Sequence, residues 1–435
     1  MKGSFKVIPA SITAPSGFKA AGVFCDIKRL GTGKGSNKGR KRDLGLLVSE
    51  VPATVAGLFT TNQVCAAPVK VSVARAQQSS ARAIVANSGN ANACTGEQGL
   101  QDAGEMTAFA ADHLGIQPKE VLVCSTGRIG VQMPMDQVRQ GITSAIPLLN
   151  ETAENGHHLA EAIMTSDTRP KEVAVEFRLA GKTVRLAGIC KGAGMIQPGM
   201  SPSGRRPASV PPHATMLCFL ATDAAIDSAA LKAALKEAVA NSFNRITVDG
   251  DMSTNDSVII LANGLAGNPK LTLKEREGAD FQSFQAALDH VTLELAKMIV
   301  RDGEGVSRFI TVRLTGATSF KDADAAARAV ANSALVKTSW CGGDPNWGRI
   351  LDALGYSPAK VVEEKVDLGY SPAGSRKILW ALRGGQPTKT TLAALKEIVT
   401  SKEFDLHIDL HIGSGNAVIY TADLTEEYVD FNKGE

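Results

Sequence analysis

At 435 residues the chain is long enough to bury a large core and to fold as more than one lobe. Hydrophobic residues make up 44% and charged residues 21%, which excludes a disordered or fibrous class. The net charge of +3, with no basic cluster interleaved with aromatics, argues against nucleic acid as the main partner.

Met1 to Ala14 lacks a long apolar core, and no stretch reaches membrane-spanning length, so no membrane partner is expected. The basic run Lys34 to Arg42 is rich in Gly and Ser and reads as a solvated loop within an excursion over Leu30–Arg42. Apolar, β-rich runs at Leu46–Val48, Ala83–Ala86, Val121–Cys124, Val173–Leu179, Val184–Ile189, Leu217–Ala221, Ser257–Leu261 and Phe309–Leu314 predict strands. Ala-rich helical patterns intervene at Leu100–Leu114, Ala229–Asn241, Phe281–Ile299 and Ala323–Val336. The mixture predicts an α/β protein in which helices cover sheets. A second excursion, Ser201–Pro212, is too rich in Pro and Ser to continue a helix or sheet. The seven cysteines form no CxxC, and an odd count suits a reducing compartment; the cytoplasm is expected.

Four segments are dense in small and polar residues next to apolar runs: Asn87–Gly96, Cys124–Gly130, Asn244–Asp256 and Arg301–Gly305. Each is expected at a sheet edge, where sites are commonly built. At Thr126-Gly127 a hydroxyl and a glycine N–H offer two donors to an oxyanion, or form a simple turn. The loop Lys191-Gly-Ala-Gly-Met195 has neither GxxxxGK[ST] nor GxGxxG, so a nucleotide site is weakly supported. After it, Thr215 opens the apolar run to Asp223. Thr215 is then either a strand-opening residue of high β-propensity or a new chain terminus, its freed amine beside the hydroxyl that it activates. His407, Asp409 and His411 alternate along one strand face, which reads as a solvated face; no metal site is expected.

In collinear order, these segments resemble the ornithine acetyltransferase (glutamate N-acetyltransferase) family of arginine biosynthesis. The resemblance runs from Ile12-Thr-Ala-Pro-Ser-Gly through Phe59-Thr-Thr-Asn62, Asn87–Ala103, Ser125–Gly130, Lys191–Ile196 and Ala214–Ala224. It continues through Ser242–Asp256, Arg301–Gly305 and Asp344-Pro-Asn-Trp-Gly-Arg349 to Tyr428, nearly the whole chain. It implies an αββα-layered α/β fold with a smaller C-terminal lobe. It also implies self-cleavage at Ala214-Thr215 into an alpha chain, 1–214, and a beta chain, 215–435, that fold together. Residue by residue, it implies Thr215 as nucleophile, Thr126 and Gly127 as the oxyanion hole, and Thr168, Lys191, Glu304 and Asn432 as substrate-binding positions. The implied reaction is ping-pong transfer of acetyl from N2-acetylornithine to glutamate, without metal or redox cofactor and with acetyl-CoA as a possible co-substrate. A heterotetramer of two alpha and two beta chains is implied as well.

Two departures stand out. The family links the glycine loop to the nucleophile with a short segment, whereas this chain inserts roughly Met200–His213. The family tail continues past the asparagine to a Ser or Thr, where this sequence reads Asn432-Lys-Gly-Glu435, so looser discrimination between ornithine and its analogues is expected. Three alternatives stay open on sequence: a self-processing amidohydrolase or aminopeptidase, a specialised-metabolism acyltransferase with a changed acceptor, and a non-catalytic binding protein.

Overall fold

The computed structural model describes residues 5–28, 41–203 and 216–433. These residues divide into two compact units. One is drawn from the chain up to Asn244 together with Asp251–Ile299, and the other from Arg245–Gly250 with Val300–Lys433. Most of both excursions read from the sequence, and Ala214 and Thr215, lie outside the described residues. Among the described residues no helix is long and apolar enough to cross a membrane.

The first unit is built on β1 (Phe5–Ile8), β2 (Phe18–Val23), β3 (Leu44–Thr60), β4 (Ser80–Asn90), β5 (Val121–Arg128), β6 (Lys171–Leu179), β7 (Lys182–Lys191), β8 (Met200–Ser201), β9 (Leu217–Thr222) and β10 (Ser257–Ala262). Their order is β1-β6-β7-β9-β10-β3-β4-β5, with β2 and β8 also paired to β3. β3 is the hinge of this arrangement. Its first half pairs with β2 and β4, its second half with β10, and the register shifts between Val48 and Ala53, around Pro52. Proline cannot donate to a ladder, which suits it to such an interruption.

Alternation along the strands then sorts side chains into layers. On one face of the first half, Leu46, Val85 and Val123 pack with Ala103 and Met106 of the helix Gly96–Leu114 and with Val138 and Ile142 of Met135–Ala145. The alternate residues Leu47, Ile84 and Leu122 share a core with Ile189, Leu217, Phe219 and Ile259 of the other half. Beyond that half, Phe177 lies 6.4 Å from Phe284, and Gly188 faces Leu220, Val291 and Leu295. Phe284, Val291 and Leu295 belong to the helix Ala279–Arg301. Helix, sheet, sheet and helix follow in that order, the layering expected from the sequence. β7 and β9 pair antiparallel, so strands from either side of the Ala214-Thr215 bond lie in one sheet.

The second unit carries β11 (Phe309–Ala317), β12 (Asp367–Pro372), β13 (Leu379–Arg383), β14 (Gln386–Pro387), β15 (Glu403–Asp409) and β16 (Gly415–Ala422), ordered β14-β13-β12-β15-β11-β16. Two expectations are corrected here. Ala323–Val336 is not one helix but parts of two, Phe320–Asn332 and Ala334–Cys341. Ser333 leaves helical geometry at ψ 115°, and its side chain accepts from Val336 N as the cap of the second helix. The shared face of His407, Asp409 and His411 fails too, because β15 ends at Asp409 and His411 turns to φ +49°. His407 is half-buried against Ser371 Oγ at 2.9 Å, while His411 Nε2 meets Asp367 Oδ2 at 3.0 Å.

Candidate active site

β4 and β5 run parallel, with Ala83 opposite Val121 through to Gly89 opposite Gly127. The central residues of both strands are apolar, and at their ends small polar residues take over and bind the turns through their side chains. Asn87 Nδ2 donates to Asn90 O at 2.9 Å, and Ser125 Oγ donates to Asn87 Oδ1 at 2.6 Å. Asn90 Nδ2 donates to Val131 O and Gln132 O at 3.1 and 3.0 Å. These bonds fix the strand end that carries Thr126 and Gly127. Thr126 is 1% exposed. Gly127 sits at φ +130°, and a Cβ there would lie 2.6 Å from Asn90 N and closer still to the carbonyl carbon of Gly89. Only glycine fits so tight a backbone approach at that φ.

Lys191 ends β7 and is 2% exposed, and its Nζ donates to Thr126 Oγ1 at 3.3 Å. A hydroxyl that accepts from an ammonium keeps its own proton for a further acceptor, which is what an oxyanion donor requires. Asp167 lies beside this pair. Its Oδ1 accepts from Lys171 Nζ at 2.6 Å and from Gly192 N at 2.7 Å, and its Oδ2 accepts from Thr165 N at 3.0 Å. Burial alone would raise this carboxyl, but the positive charges of Lys171 and Lys191 and the Gly192 N–H outweigh it and hold Asp167 well below the usual carboxylate range. Thr168 is the next residue along and is exposed. The Asp167–Gly192 bond therefore ties its loop to the Lys191 turn.

Just before β9 and β10, Met216 is fully buried and its N–H donates to Asp256 Oδ1. Burial pushes the Asp256 carboxyl well above its ordinary range, against the lowering effects of that N–H and of Lys191. Thr215 precedes Met216 in the chain. In the second unit Glu304 is half-buried in the turn before β11, and its Oε2 accepts from Asn432 Nδ2 at 3.1 Å. Gly305, at φ +66°, brings that turn against the helix Glu426–Phe431, since a Cβ on it would lie 2.8 Å from Glu427 C. Thr425 Oγ1 closes the contact, donating to Gly305 O at 2.6 Å.

The model of the ArgJ family matches residues 19–434. The chain belongs to the ArgJ family. The chain is 47% identical over 425 residues to the arginine biosynthesis bifunctional protein ArgJ of Symbiobacterium thermophilum, covering 98% of each chain. It is 45% identical over 416 residues to the protein of the same name from Geobacter sulfurreducens, covering 96% of this chain and 98% of that one. To the glutamate N-acetyltransferase of Methanocaldococcus jannaschii it is 43% identical over 432 residues, covering 98% of each.

The structure brings together Thr126, Gly127 and Lys191, with Thr168 tied in through Asp167, and pairs Glu304 with Asn432. Reading the sequence passes over Asp167, Lys171, Asn255 and Asp256. Asp167 and Lys171 stand four residues apart, but charged residues recur along the strand that Lys171 opens, so their spacing alone does not single them out. Buried on both sides, such charges need each other.

Proposed function

We propose that this chain moves an acetyl group from N2-acetyl-L-ornithine to L-glutamate in arginine biosynthesis, through an acetyl-threonine enzyme formed after self-cleavage at Ala214-Thr215. The observation that carries the reading is the near-full-length identity to arginine biosynthesis bifunctional proteins and to a glutamate N-acetyltransferase. The geometry at Thr126, Gly127 and Lys191 supports the chemistry.

In this mechanism the freed α-amine of Thr215, with an ordinary pKa of about 8, takes the proton of the Thr215 hydroxyl. The oxygen attacks the acetyl carbonyl, and the Thr126 hydroxyl and Gly127 N–H receive the negative charge on the carbonyl oxygen. Collapse breaks the amide bond, and the Thr215 ammonium returns its proton to the departing α-amine of ornithine. Glutamate's amine then attacks the acetyl ester, and N-acetylglutamate leaves with Thr215 restored. Lys191 and Thr168 bind substrate in this scheme, as do Glu304 and Asn432. Glu304 supplies a carboxylate for the ornithine ammonium. No metal or redox cofactor takes part in this scheme. The mature protein is a cytoplasmic heterotetramer of two alpha and two beta chains.

The test is a denaturing gel and a transfer assay on wild type and Thr215→Ala. Wild type splits into 1–214 and 215–435 and forms N-acetylglutamate from N-acetylornithine only when glutamate is present. Thr215→Ala stays a single inactive chain. Cleavage of the Thr215→Ala protein at the same bond would refute self-processing, and acetate release without glutamate would point to a hydrolase.

A further inference from the structure

Asn255 and Asp256 stand side by side just before β10, and no step of the acyl-transfer scheme uses them. Both are buried, at 2% and 0% exposed. Asn255 Nδ2 donates to Ala91 O at 2.7 Å and to Ser125 O at 2.8 Å, while its Oδ1 accepts from Thr254 Oγ1. Asp256 Oδ1 accepts from Met216 N. The backbone that carries them is pinned on both sides: Asp256 O accepts from Thr60 N at 2.9 Å, and Thr254 O from Ala66 N at 3.0 Å.

The two bonded groups have a common meaning. Ser125 O belongs to the peptide unit whose nitrogen is that of Thr126. Met216 N belongs to the peptide unit whose carbonyl is that of Thr215. A peptide unit is planar and rigid, so fixing one of its ends orients the other. We propose that Asn255 and Asp256 are positioning residues that hold the peptide before Thr126 and the peptide after Thr215 in a fixed relation. The proposal rests on the reading of Thr215 as nucleophile and Thr126 as oxyanion donor.

Asp256 acts here as an acceptor, and its burial favours the neutral form. Among the described residues its Oδ2 is buried without a hydrogen-bond partner, a position far costlier for a carboxylate than for a carboxylic acid. Burial also raises its pKa, in the same sense. An asparagine offers the same acceptor oxygen to Met216 N–H, so it can replace the aspartate in this role, whereas alanine cannot.

Steady-state transfer of acetyl from N-acetylornithine to glutamate tests this on purified, cleaved enzyme, with thermal unfolding measured alongside. Asp256→Ala and Asn255→Ala each lower kcat by about 10- to 100-fold, the scale of loss when reacting groups are misplaced, while KM for N-acetylornithine changes little. Asp256→Asn restores most of the kcat that Asp256→Ala loses. A purely structural role would lower the unfolding midpoint of both alanine variants and leave kcat per folded enzyme unchanged, which overturns the proposal. Where Asp256→Ala does not fold, Asp256→Asn decides: an impaired kcat in that variant also overturns it. Wild type without acetyl transfer would sink the acyl-transfer reading itself. Active wild type with unimpaired alanine variants sinks this proposal alone.

Discussion

Replacing Gly127 by alanine perturbs the oxyanion hole through its backbone alone. At φ +130° an L-residue is strained, at a cost on the order of 1–3 kcal/mol. The new Cβ would also lie 2.6 Å from Asn90 N, and nearer to the Gly89 carbonyl carbon. These are backbone atoms of a paired strand, so no side chain can rotate out of the way, and overpacking adds about 1–3 kcal/mol. The sum, roughly 2–6 kcal/mol, is a large part of an ordinary domain's stability. Gly130 is the control: it sits at φ +80° with nothing among the described residues within 4 Å of an added Cβ, so Gly130→Ala carries the conformational cost alone. Thermal unfolding should rank wild type above Gly130→Ala and Gly130→Ala above Gly127→Ala. Whatever Gly127→Ala protein folds should have lost about 10²–10³ in kcat, because relief of the clash moves the donor N–H. Equal midpoints for the two variants, or normal turnover in Gly127→Ala, would refute the tight-approach argument.

Thr126→Ala should lower the acyl-transfer rate by about 10²–10³-fold with little change in substrate affinity, read from kcat and KM separately. Glu304→Gln should weaken N-acetylornithine as donor by about 10- to 100-fold, the loss of one charge-assisted hydrogen bond, read from competition between donors. Asp167→Asn should destabilise the protein by about 3–5 kcal/mol at pH 7, because it leaves Lys171 buried without its carboxylate, and denaturant unfolding measures this. The folded pKa of Asp167 lies below its unfolded value near 3.8, so its contribution is present above about pH 4 and is lost as pH falls further. Unfolding of the Asp167→Asn variant should therefore depend less on pH in that acid range.

Much of the fold was legible because alternation and helical period act locally. Every strand read from the sequence is present, and Val121–Cys124 and Ser257–Leu261 differ from the structure only at their ends. β3 was harder: only Leu46–Val48 stood out of a strand that runs from Leu44 to Thr60. Glu50 and Pro52 interrupt its pattern where the chain passes from one half of the sheet to the other. Ser333 was missed for a related reason, since alanines on both sides continue the helical period across a cap that only backbone geometry reveals. At the site, Thr126 and Gly127 were legible as the end of a strand, where the residues alone left a turn and a pair of donors open and the family resemblance supplied the donor role. Asp167, Lys171 and Asp256 were not, because their roles depend on partners 25 and 40 residues away in Gly192 and Met216, and on the burial of Lys171.

The central claim is that Thr215, freed by cleavage, carries the acetyl group between donor and acceptor. The intact mass of the purified protein, alone and after addition of N-acetylornithine without glutamate, tests it most directly. The account predicts two chains that divide at Ala214-Thr215, with one acetyl group gained by the 215–435 chain and lost again when glutamate is added. A single 435-residue chain, or an acetyl group on the 1–214 chain, would contradict it.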